Sequence, residues 1–150
     1  MTAVHIVLGI AVLALSLGAG LYGGWAWWRS VPAPAFWTVL RASQVALVLQ
    51  VAVGAVLLVL GHHPARLHLL YGLLPLAVSF VAEQLRLVAA DQVLQRHDMD
   101  AAREMEALED ADQRAIVIEI VRRETGVMAA SALVVFVLAL RAAGVAGFLG

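Results

Sequence analysis

Apolar residues along this chain fall into four long runs, and polar residues collect in the gaps between them. The runs are Ala3 to Trp28, Trp37 to Leu60, Leu67 to Leu94 and Ile116 to Leu149. A helix of about 20 residues spans the hydrocarbon core of a bilayer, and the first two runs hold at least 24 residues each. Backbone inside lipid must satisfy its own hydrogen bonds, which a helix does within one segment. The pattern predicts an all-α integral membrane four-helix bundle with helices at about 3–28, 37–60, 65–95 and 113–148. They form a single domain over residues 1–150, with helices 3 and 4 extended into the cytoplasm.

The gaps carry turn chemistry. Ser30 to Phe36, with Pro32 and Pro34, reads as the first loop. Gly61-His62-His63-Pro64 reads as a tight second turn, with Pro64 suited to the first turn of helix 3. Residues 98–112 hold seven acidic side chains and read as a solvated connector. Ala101 to Glu109 is expected to form a short helix there, with Asp110 or Asp112 capping helix 4. Trp25, Trp27, Trp28 and Trp37 mark one interface. Eight arginines, from Arg29 to Arg123, lie at the ends joined by loops 1 and 3, against Arg66 and Arg141 near the other face. The positive-inside rule then puts those loops in the cytoplasm and both termini outside.

Composition agrees with this reading. Hydrophobic residues make up 63% of the chain and charged ones 14%, which leaves no separate soluble domain. A net charge of −1 carries no nucleic-acid footprint. The absence of cysteine excludes disulfides, thiolate metal sites, iron–sulfur clusters and cysteine catalysis. Every basic residue is arginine, a usage typical of high-GC bacteria, so the expected location is a bacterial plasma membrane. Ala33-Pro34-Ala35 resembles a signal cleavage site, but nothing basic precedes the first run and that run exceeds an h-region, so it is expected to remain as a membrane helix.

Polar positions inside apolar helices locate the bundle interior. Helix 3 carries His68, Tyr71, Gly72, Pro75, Ser79, Glu83 and Arg86 near one line. Pro75 is expected to kink it. Helix 1 carries His5, Gly9, Ser16, Gly20, Gly23 and Trp27, and Ser16-xxx-Gly20-xxx-Gly24 forms a small-residue packing stripe. Helix 2 offers Arg41 and Gln44 near the cytoplasm and Gln50 near mid-membrane. Arg41, Glu83, Arg86, Arg122, Arg123 and Glu124 share one depth and are expected to form a buried charge cluster, with Glu83 paired to Arg41 or Arg122. An isolated charge in hydrocarbon costs about 2.5–3.5 kcal/mol, so pairing is required there.

At the outer end, His5 and His68 sit about one turn into their helices, each followed four residues later by a glycine, Gly9 and Gly72. Two imidazoles facing across a bundle can ligate a haem iron, and the glycines leave room for a flat macrocycle. Without Cys-x-x-Cys-His the haem is non-covalent, b-type. Tyr71, Trp25 and Arg66 are candidate contacts for a quinone or a propionate. His62, His63 and His68 form a weaker alternative metal site, and ordinary interfacial histidines are the plain alternative to both.

The stretch RASQVALVLQVAVGAVLLVLGHHPARLHLLYGLLPLAVSF, about 40 residues, resembles the histidine-bearing four-helix modules of haem A synthase and membrane b-type cytochromes. The likeness lies in an apolar helix, a short Gly/Pro turn and a Leu-His opening the next helix. It implies a ligand role for His68; the family's paired histidines on successive helices and its extracytoplasmic carboxylate motif are lacking. The whole chain, especially LHLLYGLLPLAVSFVAEQLR, also resembles small uncharacterised four-helix integral membrane proteins of high-GC Gram-positive bacteria.

The residues hold no complete catalytic signature. They point first to a non-enzymatic accessory or assembly subunit of a membrane complex, surrounded by lipid and partnered by other membrane proteins or its own copies. A b-haem electron carrier is the sharper alternative. A small-solute or proton transporter comes third, because no internal repeat or pair of broken helices is present.

Overall fold

The computed structural model describes residues 2–96 and 110–145. Within them the regular elements are four helices: α1 (Thr2–Arg29), α2 (Pro34–Val59), α3 (Arg66–Arg96) and α4 (Asp110–Val145). Each is long and apolar enough to cross a membrane. The helix expected at 101–109 lies outside the described residues, as does the expected end of helix 4 beyond residue 145.

Two boundaries differ from expectation. α2 starts at Pro34 rather than Trp37, because proline suits the first helical turn, where its missing N–H leaves no acceptor unsatisfied. Phe36, expected in the loop, is fully buried. Pro64 precedes α3 instead of opening it.

α1 and α2 both end in a reversal that satisfies their last carbonyls. At α2 the N–H of Gly61 donates to Leu58 O and that of His62 to Leu57 O, both at 3.0 Å. At α1 the N–H of Ser30 donates to Trp27 O (3.3 Å) and that of Val31 to Ala26 O (3.1 Å). This Schellman geometry needs a left-handed residue, and glycine takes it freely. Gly61 has φ 87, while Ser30 takes φ 52 with a side chain in place. A left-handed L-residue costs about 1–2 kcal/mol, part of it recovered by glycine's larger unfolded-state entropy. Ser30→Gly is therefore expected to stabilise the chain by about 0.5–1 kcal/mol, read as a higher thermal midpoint in detergent. A lower midpoint would contradict the strained-turn account.

Packing is unequal around the bundle. α1 lies against both α2 and α4, and α3 lies along α4, but α2 and α3 scarcely meet although a short turn joins them. The close pairs are built on small residues. On α1 the buried face is Val12, Ser16, Ala19, Gly20, Gly23 and Ala26. Gly20 abuts Leu133, and Gly23 abuts Phe36 and Ala129. Gly126 of α4 takes the edge of the Trp27 indole. The expected stripe through Gly24 is corrected to Gly23: nothing approaches Gly24 within 4 Å. A 3.6-residue period turns the face by steps of four and then three, so Ser16 and Gly20 lead to Gly23. Ser16, fully buried, returns its hydroxyl proton to its own helix at Val12 O.

Ala19, Ala26, Phe36, Leu40, Ala82, Met128, Ala129 and Ala132 make the core near the Trp37 end. Val12, Ala46, Leu47 and Val135 close the middle. Beyond the Trp37 end, Val93 and Ile116 form a small cluster with Leu94 and Ile120, all from α3 and α4. α3 runs unbroken through Pro75, which is fully buried. The outward faces are apolar: Val7, Val48, Val59, Phe80 and Val137 are each more than half exposed.

Candidate functional site

The gap between α2 and α3 becomes a cavity of about 510 Å³ at the histidine end. That is within the range of small-molecule and cofactor sites. All four helices line it: His5, Gly9 and Val12 from α1, Leu47, Gln50 and Gly54 from α2, His68, Gly72 and Pro75 from α3, and Ala139 and Ala142 from α4. Its walls are chiefly aliphatic, with imidazoles, the Gln50 amide and Tyr71 as the polar side chains.

His5 and His68 come together there. Their ring centroids are 6.1 Å apart and the planes are tilted by 60°. His68 Nδ1 lies 3.1 Å from Ala142 O on α4. A carbonyl only accepts, so Nδ1 is the donor in this contact. His5 is held differently. Its Nε2 lies 3.2 Å from Gln50 Nε2, and its ring occupies the space above Gly54. His5 Nδ1 and Gln50 Oε1 are both buried without a hydrogen-bond partner. Each unsatisfied buried group costs about 1–3 kcal/mol, a cost that a bound ligand can remove.

The expected glycine pair divides. Gly72 has nothing within 4 Å of where a Cβ would stand, as a site for a flat ligand requires. At Gly9 that space is taken by the Gln50 amide, 3.2 Å away, so Gly9 accommodates Gln50 and not a macrocycle. The three-histidine metal site is also corrected. His62 and His63 line the cavity mouth, but among the described residues no three His, Cys, Asp or Glu side chains gather as a metal site. Tyr71 lines the cavity with Arg141 5.9 Å above its ring. Trp25, expected as a quinone contact, stacks on Tyr22 near the opposite end of α1.

The charge cluster assembles at the Trp37 end, where it joins α2 to α3 and α3 to α4. Arg41 Nη1 donates to Glu83 Oε1 and also to Gln44 Oε1, the latter at 2.6 Å. Gln44 Nε2 donates to Glu83 Oε1 at 2.8 Å. Arg86 Nε lies 3.3 Å from Glu83 Oε2 but makes no hydrogen bond, so that contact is ionic. Arg86 Nη1 reaches Glu124 Oε2 at 3.7 Å. Arg86 also lies 5.6 Å over the Trp37 ring. Arg41 and Arg86 thus balance Glu83 and Glu124. Arg122 stands apart, donating to Trp27 O (3.4 Å) and covering the Trp27 ring, and Arg123 pairs with Glu119 on its own helix. The cluster is only half-buried: the Arg41 side chain is 48% exposed.

Between cavity and network Val12, Leu47 and Val135 pack together. Sequence reasoning identified His5, His68, Arg41 and Glu83 from depth along their helices. It missed Gln50 as the partner of His5, although Gly54, one turn from Gln50, marks the face of α2 that receives a large side chain. The Ala142 carbonyl has no sequence signal, being backbone. No family model, curated protein or solved structure matches the chain.

Proposed function

We propose that this chain is a multi-pass plasma-membrane protein that holds a b-type haem between His5 and His68 and exchanges electrons through it. The carrying observation is the meeting of two imidazoles from different helices over an apolar cavity. His5 and His68 are the residues that would hold the group, with His5 Nε2 now on the Gln50 amide. The ring separation here is 6.1 Å. Haem supplies one-electron chemistry when bound. The chain's own contributions are ligation by the two histidines, orientation of His68 by Ala142 O, and exclusion of water by aliphatic walls.

Lipid as the solvent accounts for the exposed Val, Leu and Phe around all four helices and for cores made of alanine and glycine. The arginine bias puts the histidine end outside. An accessory-subunit role uses the same exposed faces, but no single face is favoured for a partner over lipid. Transport has less support, because no internal repeat or pair of broken helices marks a pathway.

Expression in a bacterial host supplied with a haem precursor tests the reading. Membranes washed in alkaline carbonate should retain both the chain and a Soret band with the sharp reduced bands of a six-coordinate b-haem. A folded, colourless protein from the same cells would refute haem binding, and release by carbonate would refute insertion.

A further inference from the structure

Arg122 was expected in the charge cluster, and the network does not absorb it. Arg41 and Arg86 are balanced by Glu83 and Glu124, and Arg123 by Glu119. Among the described residues no carboxylate lies within ion-pair distance of Arg122. Its Nε instead donates to Trp27 O at 3.4 Å, and its guanidinium lies 5.9 Å over the Trp27 ring. The indole is itself seated, since its edge fills the space beside Gly126, one turn along α4 from Arg122. Trp27 O also accepts the N–H of Ser30. Backbone, ring and guanidinium thus form one ordered unit at the α1–α4 seam. Arg122 is exposed, and neither Nη has a hydrogen-bond partner among the described residues. Two donors are left in a fixed plane, the geometry with which arginine grips a phosphate bidentately.

The surroundings match that chemistry. Trp25, Trp27 and Trp28 all stand partly clear of the bundle, as an aromatic belt at headgroup depth does. Arg29 ends α1 in the same band and makes no ion pair with a described residue. Two uncompensated cations at a bilayer surface attract an anion. We infer that Arg122, with Arg29 beside it, binds the headgroup phosphate of an anionic phospholipid in the leaflet at this end. A zwitterionic phospholipid carries the same phosphodiester, but its cationic group is repelled by the second arginine. The site lies at the far end of α1 from the histidine cavity. It rests on insertion in a membrane and is independent of haem.

All four tryptophans of the chain, Trp25, Trp27, Trp28 and Trp37, are at this end, so their fluorescence reports on it. The sample is the full chain in phosphatidylcholine vesicles, and the quencher is brominated phosphatidylglycerol replacing phosphatidylcholine in steps. Quenching should set in at a lower fraction than with brominated phosphatidylcholine. The preference should be about fivefold or more, the factor that one arginine near an anionic surface is worth. Arg122→Gln should bring the preference to within about twofold of unity. Arg123→Gln removes the same charge from the next residue and should keep most of the preference. Equal quenching by the two lipids in the wild-type chain would overturn the site while leaving insertion intact, and needs no variant to fold. Equal losses in Arg122→Gln and Arg123→Gln would also overturn it, since diffuse surface charge would then suffice. Displacement of phosphatidylglycerol by inorganic phosphate would give the site to a free anion and overturn the lipid assignment. No quenching by either lipid would remove insertion and the site together.

Discussion

Gly23→Val is expected to destabilise the bundle by about 3 kcal/mol, whereas Gly24→Val one residue away should change stability by less than about 1 kcal/mol. A Cβ at position 23 would overlap the Phe36 ring and the Cβ of Ala129. Neither neighbour can yield cheaply. Phe36 is fully buried and packed edge-on against Trp37, with ring centroids 5.1 Å apart. Ala129 is 2% exposed on the facing helix, and its Cβ moves only with the backbone. Overpacking a well-filled core costs about 1–3 kcal/mol, and this site belongs at the upper end because α1, α2 and α4 all meet there. At position 24 the new side chain meets nothing within 4 Å, and loss of glycine's flexibility favours the helix slightly. Unfolding of the two variants in mixed micelles, monitored by circular dichroism, measures the difference. Equal behaviour would mean that α1 does not present this face to α4.

That pair of glycines also shows how far the sequence could be read. Hydropathy alone found four helices, because four apolar runs each reach the length that would cross a bilayer, and few other constraints impose such a length. Facing was legible to within about one residue: the small-residue stripe was seen, but Gly23 and Gly24 differ by 100° around the axis, and only the neighbouring helices decide between them. Depth was legible too. His5 with His68, and Arg41 with Glu83, were matched by counting residues from the helix ends, and both pairs meet. Sideways relations were not legible. Nothing in the order of residues says that α2 and α3, joined by a short turn, stand apart while α1 and α4 pack closely. The cavity, the seat of Gln50 over Gly9 and the diversion of Arg122 to Trp27 all follow from that asymmetry.

The same asymmetry gives Glu83 an importance its exposure would not suggest. Glu83→Ala is expected to cost about 1–2 kcal/mol and to act mainly on the α2–α3 contact. The carboxylate accepts from Arg41 and Gln44 of α2 and faces Arg86 of α3, so its removal leaves Arg86 with Glu124 and Arg41 with only the Gln44 amide. An unpaired charge held in hydrocarbon costs about 2.5–3.5 kcal/mol. The expected loss is smaller because the Arg41 side chain is 48% exposed and its long stem can carry the charge toward the interface. Solvent screening at such a pair reduces its worth further. Elsewhere α2 and α3 scarcely touch, so this network is their principal polar link. A double-mutant cycle isolates it: Arg41→Ala, Glu83→Ala and the double variant should show a coupling of about 1 kcal/mol, with the double variant less impaired than the two losses added. Amide exchange should quicken in the first half of α2 in Glu83→Ala and stay unchanged in the α1–α4 contact, which small residues hold on their own. Additive losses, or a uniform quickening through all four helices, would show that the network only decorates a bundle whose α2–α3 spacing is set by something else.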